Sequence, residues 1–145
     1  MKTEYYVGTV VGAYRSVMDG GSVAEARKEL EAVSHRPYSQ GFYYGHEAYD
    51  PYNDGLYRQS RLYGGIVREC KDGFVTLEQR NNFKVCQELE ALSPGKPVRR
   101  FKVEEIINEE GQRQQAAHLV RQTLRVPCPF ELSPGDILRF DEIIR

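Results

Sequence analysis

The chain has 145 residues, 40% apolar and 28% charged, with a formal net charge of −1. That balance excludes a disordered chain and a surface devoted as a whole to nucleic acid. No apolar run approaches the ~20 residues that cross a bilayer, and Met1 opens a tyrosine-rich amphipathic segment rather than an apolar leader, so the expectation is a cytoplasmic protein with no membrane partner.

The first element read from the pattern is a helix. Val7, Val10, Val11, Tyr14, Val17 and Met18 recur three and four apart and form one apolar stripe, which is expected to dock on another element. Thr3 is placed to cap its start, and Asp19-Gly20-Gly21 to stop it. Gly8 and Gly12, four apart, permit a close backbone approach. A second helix starts at the capping box Ser22-Val-Ala-Glu25, with Val23, Ala26, Leu30 and Val33 as its buried stripe. Ser34 ends it and Pro37 forbids its continuation. A chain that opens inside an amphipathic helix reads as the tail of a larger domain.

Between Pro37 and Tyr63 the chain holds eight aromatic residues, punctuated by glycines and by Asp50-Pro51 and Asp54-Gly55. Those dipeptides form turns, so this is a long connection. Arg36, Tyr38, Phe42 and Tyr43 are its candidate contacts for a substrate or partner, since aromatic rings stack on bases and arginine pairs with phosphate. The same side chains suit a seal between domains. His35, His46 and His118 share no metal-ligand spacing, and no metal or cofactor is expected.

From residue 62 onward short alternating runs recur between turns. Strands are expected at residues 62–70, 74–80, 88–92, 98–107, 118–126 and 137–140. Asp72-Gly73 supplies the first hairpin, and Ser93-Pro94-Gly95, residues 108–111 and Ser133-Pro134-Gly135-Asp136 supply later turns. Six such strands read as a small closed six-stranded β-barrel, because closure removes exposed edges. The fold class is therefore mainly β: two N-terminal helices over residues 1–36, an aromatic connecting loop over 37–61, and a barrel over 62–145.

Several of these runs carry a resemblance. Ser34 to Gly45, Gly65-Ile66-Val67, Leu77 to Phe83, Glu88 to Pro94 and Pro134 to Arg139 resemble, in order, the C-terminal region of peptidase family U32. These are the collagenase-like peptidases, whose relatives include tRNA and rRNA hydroxylation proteins. The resemblance implies a barrel similar to domain 2 of translation elongation factors. It also implies that residues 1–15 are the last helix of a catalytic domain, which would then be this chain's partner. One departure stands out: where family members carry Gly-Asp before the third strand, this chain has Cys86-Gln87.

No catalytic residues are assigned. Cys70, Cys86 and Cys128 lack a sequence-local base and are expected to be buried or half-buried free thiols. Residues 57–102 hold ten basic and five acidic side chains, densest at Lys96-Pro-Val-Arg-Arg-Phe-Lys102. Arg99, Arg100 and Lys102 are therefore further candidate contacts for an RNA backbone. The leading expectation is a non-catalytic accessory domain that positions a polypeptide or RNA substrate for a hydrolase or RNA-modifying partner domain. A self-sufficient RNA-binding barrel is the alternative, and an autonomous protease is the third.

Overall fold

In a computed structural model of the chain, residues 2–41, 43–45 and 55–141 are described. They divide into two compact units, Met1–Ser60 and Arg61–Arg145.

The first unit holds α1 (Glu4–Met18) and α2 (Val23–Ala32). The Thr3 hydroxyl accepts from the Tyr6 N–H at 3.2 Å, as the sequence suggests. The Ser22 hydroxyl accepts from the Glu25 N–H, but the glutamate does not reach back to complete the box. Its carboxylate takes the Lys28 ammonium at 2.9 Å instead.

The helices pack on each other through an unexpected face. Tyr5, Thr9 and Ala13 are the buried residues of α1, with Ala26, Ala32 and Val33 buried on or beside α2. Small side chains let the two backbones approach closely, and the Thr9/Ala13 face provides them. The valine-rich stripe is left outside: Val11 is 60% exposed, Tyr14 64% and Met18 76%, with Val7 and Val17 exposed beside them. Val23, expected in the core of α2, is exposed too.

The second unit is one antiparallel sheet. Its strands are β1 (Arg61–Lys71), β2 (Phe74–Gln79), β3 (Glu88–Leu92), β4 (Arg99–Lys102), β5 (Ile106–Asn108), β6 (Arg113–Gln114), β7 (Thr123–Pro127) and β8 (Ile137–Asp141). Their order is β4-β3-β8-β1-β2-β7-β5-β6. Val67, Val75, Leu77, Leu89, Leu124, Val126 and Leu138 alternate onto the inner face and are fully buried. The β1–β2 hairpin turns at Asp72 and Gly73, both at positive φ, as a type I′ turn requires.

This corrects the expected closed six-stranded barrel. The sheet has eight strands and is an open half-barrel, since its end strands β4 and β6 do not pair. The expected strand 98–107 divides because its alternation slips: Phe101 and Val103 point inward, Glu104 and Glu105 both stay out, and Ile106 turns in again. β6 spans two residues only and left no periodic signal.

The gap is laced by residues 83–87. Val85 N–H donates to the Gln115 carbonyl at 3.0 Å, and Ala117 N–H to that of Phe83 at 2.8 Å. On the other side Cys86 N–H donates to the Val103 carbonyl at 2.7 Å, and Val103 N–H to that of Gln87 at 2.9 Å. Cys86 sits at φ +71°, the left-handed region that favours glycine. A glycine would hold this turn without strain, and this chain holds it with a cysteine. Cys86 is exposed, contrary to expectation, whereas Cys70 is half-buried and Cys128 buried. No helix among the described residues is long and apolar enough to cross a membrane.

Candidate functional site

The aromatic and basic side chains of the first unit form a surface cluster. Lys2 lies 4.4 Å from the Tyr6 ring centroid and 5.7 Å from that of Tyr57. The Arg36 guanidinium sits 5.4 Å from the Tyr57 ring. Next to it His35 and Tyr38 stack with centroids 4.5 Å apart and planes within 6°. An antiparallel bridge between His35 and Arg58 fixes this end of the loop, with backbone hydrogen bonds of 2.9 and 2.8 Å. The Tyr38 hydroxyl donates to the Leu30 carbonyl at 2.9 Å, tying the stack to α2. Burial, with Tyr6, Tyr14 and Glu31 nearby, raises the pKa of that phenol. Tyr43 is exposed and meets Tyr44 edge-on at 5.1 Å. Phe42 and His46 lie outside the described residues.

Arg99, Arg100 and Lys102 fall on β4 of the second unit, where alternation sends Arg99 to one face and Arg100 and Lys102 to the other. Arg99 lies over the Phe130 ring at 4.3 Å and donates to the Glu131 carbonyl at 3.2 Å. Arg100, on the opposite face of the strand, pairs with Glu90 at 2.8 Å and Glu88 at 3.9 Å. Lys102 is exposed, and its cross-strand neighbour is Glu88.

Much of the basic excess read from residues 57–102 is spent on cross-strand carboxylates. Glu90, 5% exposed, receives Arg100, Arg139 at 2.7 Å and Arg61 at 3.3 Å. Arg139 is itself 2% exposed. Burial pushes the Glu90 carboxyl upward, but Arg139 and Arg61 outweigh it and hold the pKa below the ordinary value. Arg68 and Arg80 share Glu78 in the same way. The hydrogen bond from Arg68 lowers the Glu78 pKa.

Sequence reasoning missed this network because its members lie on four strands. It also missed the meeting of two turns. Ser93 Oγ donates to Asp136 Oδ2 at 2.6 Å, and Ser133 N–H donates to the same oxygen at 2.9 Å. The tetrapeptide Leu-Ser-Pro-Gly, present at 92–95 and again at 132–135, was the signal for it.

Among the described residues no group of histidines, cysteines and acids could hold a metal ion. Burial pushes the Cys128 thiol upward in pKa, which makes it a poor nucleophile.

Residues 59–139 match the Peptidase family U32 C-terminal domain, and residues 1–52 match Peptidase family U32. The tRNA hydroxylation protein P1 of Bacillus subtilis is 28% identical over 151 residues, covering 96% of this chain and 36% of that protein. The tRNA hydroxylation protein P of Escherichia coli is 26% identical over 140 residues, covering 90% and 31%. The chain thus spans about a third of the length of these relatives. Among solved structures, the C-terminal domain of a protein assigned as a U32 peptidase from Geobacillus thermoleovorans aligns with a TM-score of 0.51 at 26% identity. That alignment covers 55% of this chain and 92% of the other.

Proposed function

The chain belongs to peptidase family U32, and from that premise we propose that it is a non-catalytic accessory module that holds an RNA for a catalytic domain. The observation that carries this reading is the bare valine-rich face of α1. Val7, Val11, Tyr14 and Met18 lie in the stretch that matches Peptidase family U32 rather than its C-terminal domain. An exposed stripe of large apolar side chains marks an interaction surface. The partner that fits it is the remainder of a U32 domain.

RNA is favoured as substrate by two supports. The curated relatives are tRNA hydroxylation proteins. The cluster of Lys2, Tyr6, Arg36, Tyr38 and Tyr57 offers stacking faces and cations side by side. A polypeptide substrate is the second reading, supported by the likeness to the Geobacillus thermoleovorans U32 domain. An autonomous protease has no supporting geometry: no cysteine among the described residues has a histidine as a hydrogen-bond partner.

Electrophoretic retardation of tRNA by the purified chain tests the RNA reading. The expected result is binding at low salt, with log K falling against log salt at a slope of about −1.5 for phosphate contacts from the two cations Lys2 and Arg36. Arg36→Ala should weaken it severalfold. Absence of retardation at low salt refutes the RNA reading.

A further inference from the structure

The two Leu-Ser-Pro-Gly turns, 40 positions apart in the chain, lie side by side because β3 and β8 pair antiparallel, with Leu92 opposite Ile137. Each is closed by a hydrogen bond from the fourth residue to the first: Lys96 N–H to the Ser93 carbonyl at 3.1 Å, and Asp136 N–H to that of Ser133 at 3.0 Å. In each, proline precedes a glycine at positive φ, +69° at Gly95 and +93° at Gly135. This is the type II geometry, in which the proline ring stands at the turn's corner.

Between the turns is a recess of about 350 Å³, lined by Ser93, Pro94, Lys96, Ser133, Pro134 and Asp136 among others. That volume is within the ~300–1,000 Å³ of small-molecule sites. Its lining is mixed in a specific way. Pro94 and Pro134 are exposed and offer flat apolar ring faces. Lys96 is exposed on the rim, and no described carboxylate pairs with it. Asp136 is 2% exposed, and both of its described donors, Ser93 Oγ and Ser133 N–H, converge on Oδ2. Among the described residues nothing donates to Asp136 Oδ1. Oδ1 reaches the surface of the recess, so this carboxylate, held in place through Oδ2, is open to a donor on a ligand.

A ligand that answers all three features carries a flat ring for the prolines, an anion for Lys96 and an N–H donor for Asp136. We propose that the recess binds a nucleotide whose base bears an exocyclic amine, adenine, cytosine or guanine, with its phosphate on Lys96. This rests on the RNA reading above and narrows it, placing one amino-bearing nucleotide of a bound RNA between the twin turns.

The test is a ¹H–¹⁵N NMR titration of the whole chain with AMP, CMP, UMP and IMP. UMP and IMP carry the phosphate and a ring N–H but no exocyclic amine, so they isolate the amine's contribution. AMP and CMP should shift the amides of Ser93, Gly95, Lys96, Ser133, Gly135 and Asp136, and bind about tenfold tighter than UMP or IMP. Lys96→Ala, a change on the exposed rim, should weaken AMP about tenfold and leave the rest of the spectrum in place. Equal affinity for AMP and IMP overturns the proposal, as do shifts confined to other residues or no response at millimolar nucleotide. Retardation of tRNA with no AMP response at these amides removes the pocket and leaves the RNA reading standing. AMP binding without tRNA binding removes the RNA reading and keeps the pocket as a free-nucleotide site.

Discussion

Replacing Glu90 by alanine probes how the sheet tolerates charge on its outer face. Glu90 is 5% exposed and Arg139 2%, and their ion pair spans 2.7 Å. Truncation leaves Arg139 buried without this carboxylate. Removing one partner of a buried pair costs ~3–5 kcal/mol. The other two cations soften the loss, because Arg61 and Arg100 reach solvent and can rehydrate. The lower end, about 3 kcal/mol, is therefore expected in urea unfolding followed by far-UV circular dichroism at neutral pH. The paired replacement Glu90→Leu with Arg139→Met should recover most of it, with a coupling energy of about 2 kcal/mol. The pH dependence follows from the sign of the shift. Glu90 has a lowered pKa when folded, so its contribution is complete above the unfolded value of ~4.3 and lost as pH falls through the folded one. Glu90→Ala should flatten that acid limb. A cost below about 1 kcal/mol, the range of surface ion pairs, would refute the reasoning, as would strictly additive single and double changes.

Cys86→Gly should stabilise the sheet by about 0.5–1 kcal/mol, the relief of a left-handed backbone at φ +71° less the entropy of glycine, read as a raised urea midpoint. Gly65→Ala should cost about 1–3 kcal/mol in the same assay. Its Cβ would stand 2.7 Å from Leu77 Cδ1 and 2.8 Å from the Glu78 carbonyl oxygen, and that carbonyl is held in the β1–β2 ladder.

The legible parts of the fold were those encoded locally. The Thr3 and Ser22 caps, the Asp72-Gly73 hairpin and the period-2 runs of β1, β2, β3 and β8 each depend on neighbours in sequence, and each stands where the pattern put it. Errors arose where distant residues decide. The apolar period of α1 identified a helix correctly but could not say which face α2 would cover, and the small Thr9/Ala13 face won because it lets the backbones approach. Barrel closure failed because the phase slip at Glu104-Glu105 and the two-residue β6 interrupt the ladder, a gap that residues 83–87 then lace.

Of the candidate contacts, Arg36 and Tyr38 do share a surface with other rings and cations. Arg99 and Arg100 were read as one patch, yet alternation along β4 sends them to opposite faces. There Arg99 covers Phe130 and Arg100 is taken by Glu90. The Glu90 network and the Ser93–Asp136 bracket draw on strands tens of residues apart, which one sequence does not align.

The docking role of α1 is tested most directly by hydrogen–deuterium exchange of this chain, alone and mixed with the portion of the Bacillus subtilis relative outside the matched third. Slowed exchange over residues 7–18 is predicted, together with its loss in a Val11→Glu, Tyr14→Glu chain whose circular dichroism is unchanged. Unaltered exchange at α1 while the two proteins bind through another surface would contradict the account. So would unfolding of the first unit by those two substitutions, because these side chains would then belong to a core and not to an open face.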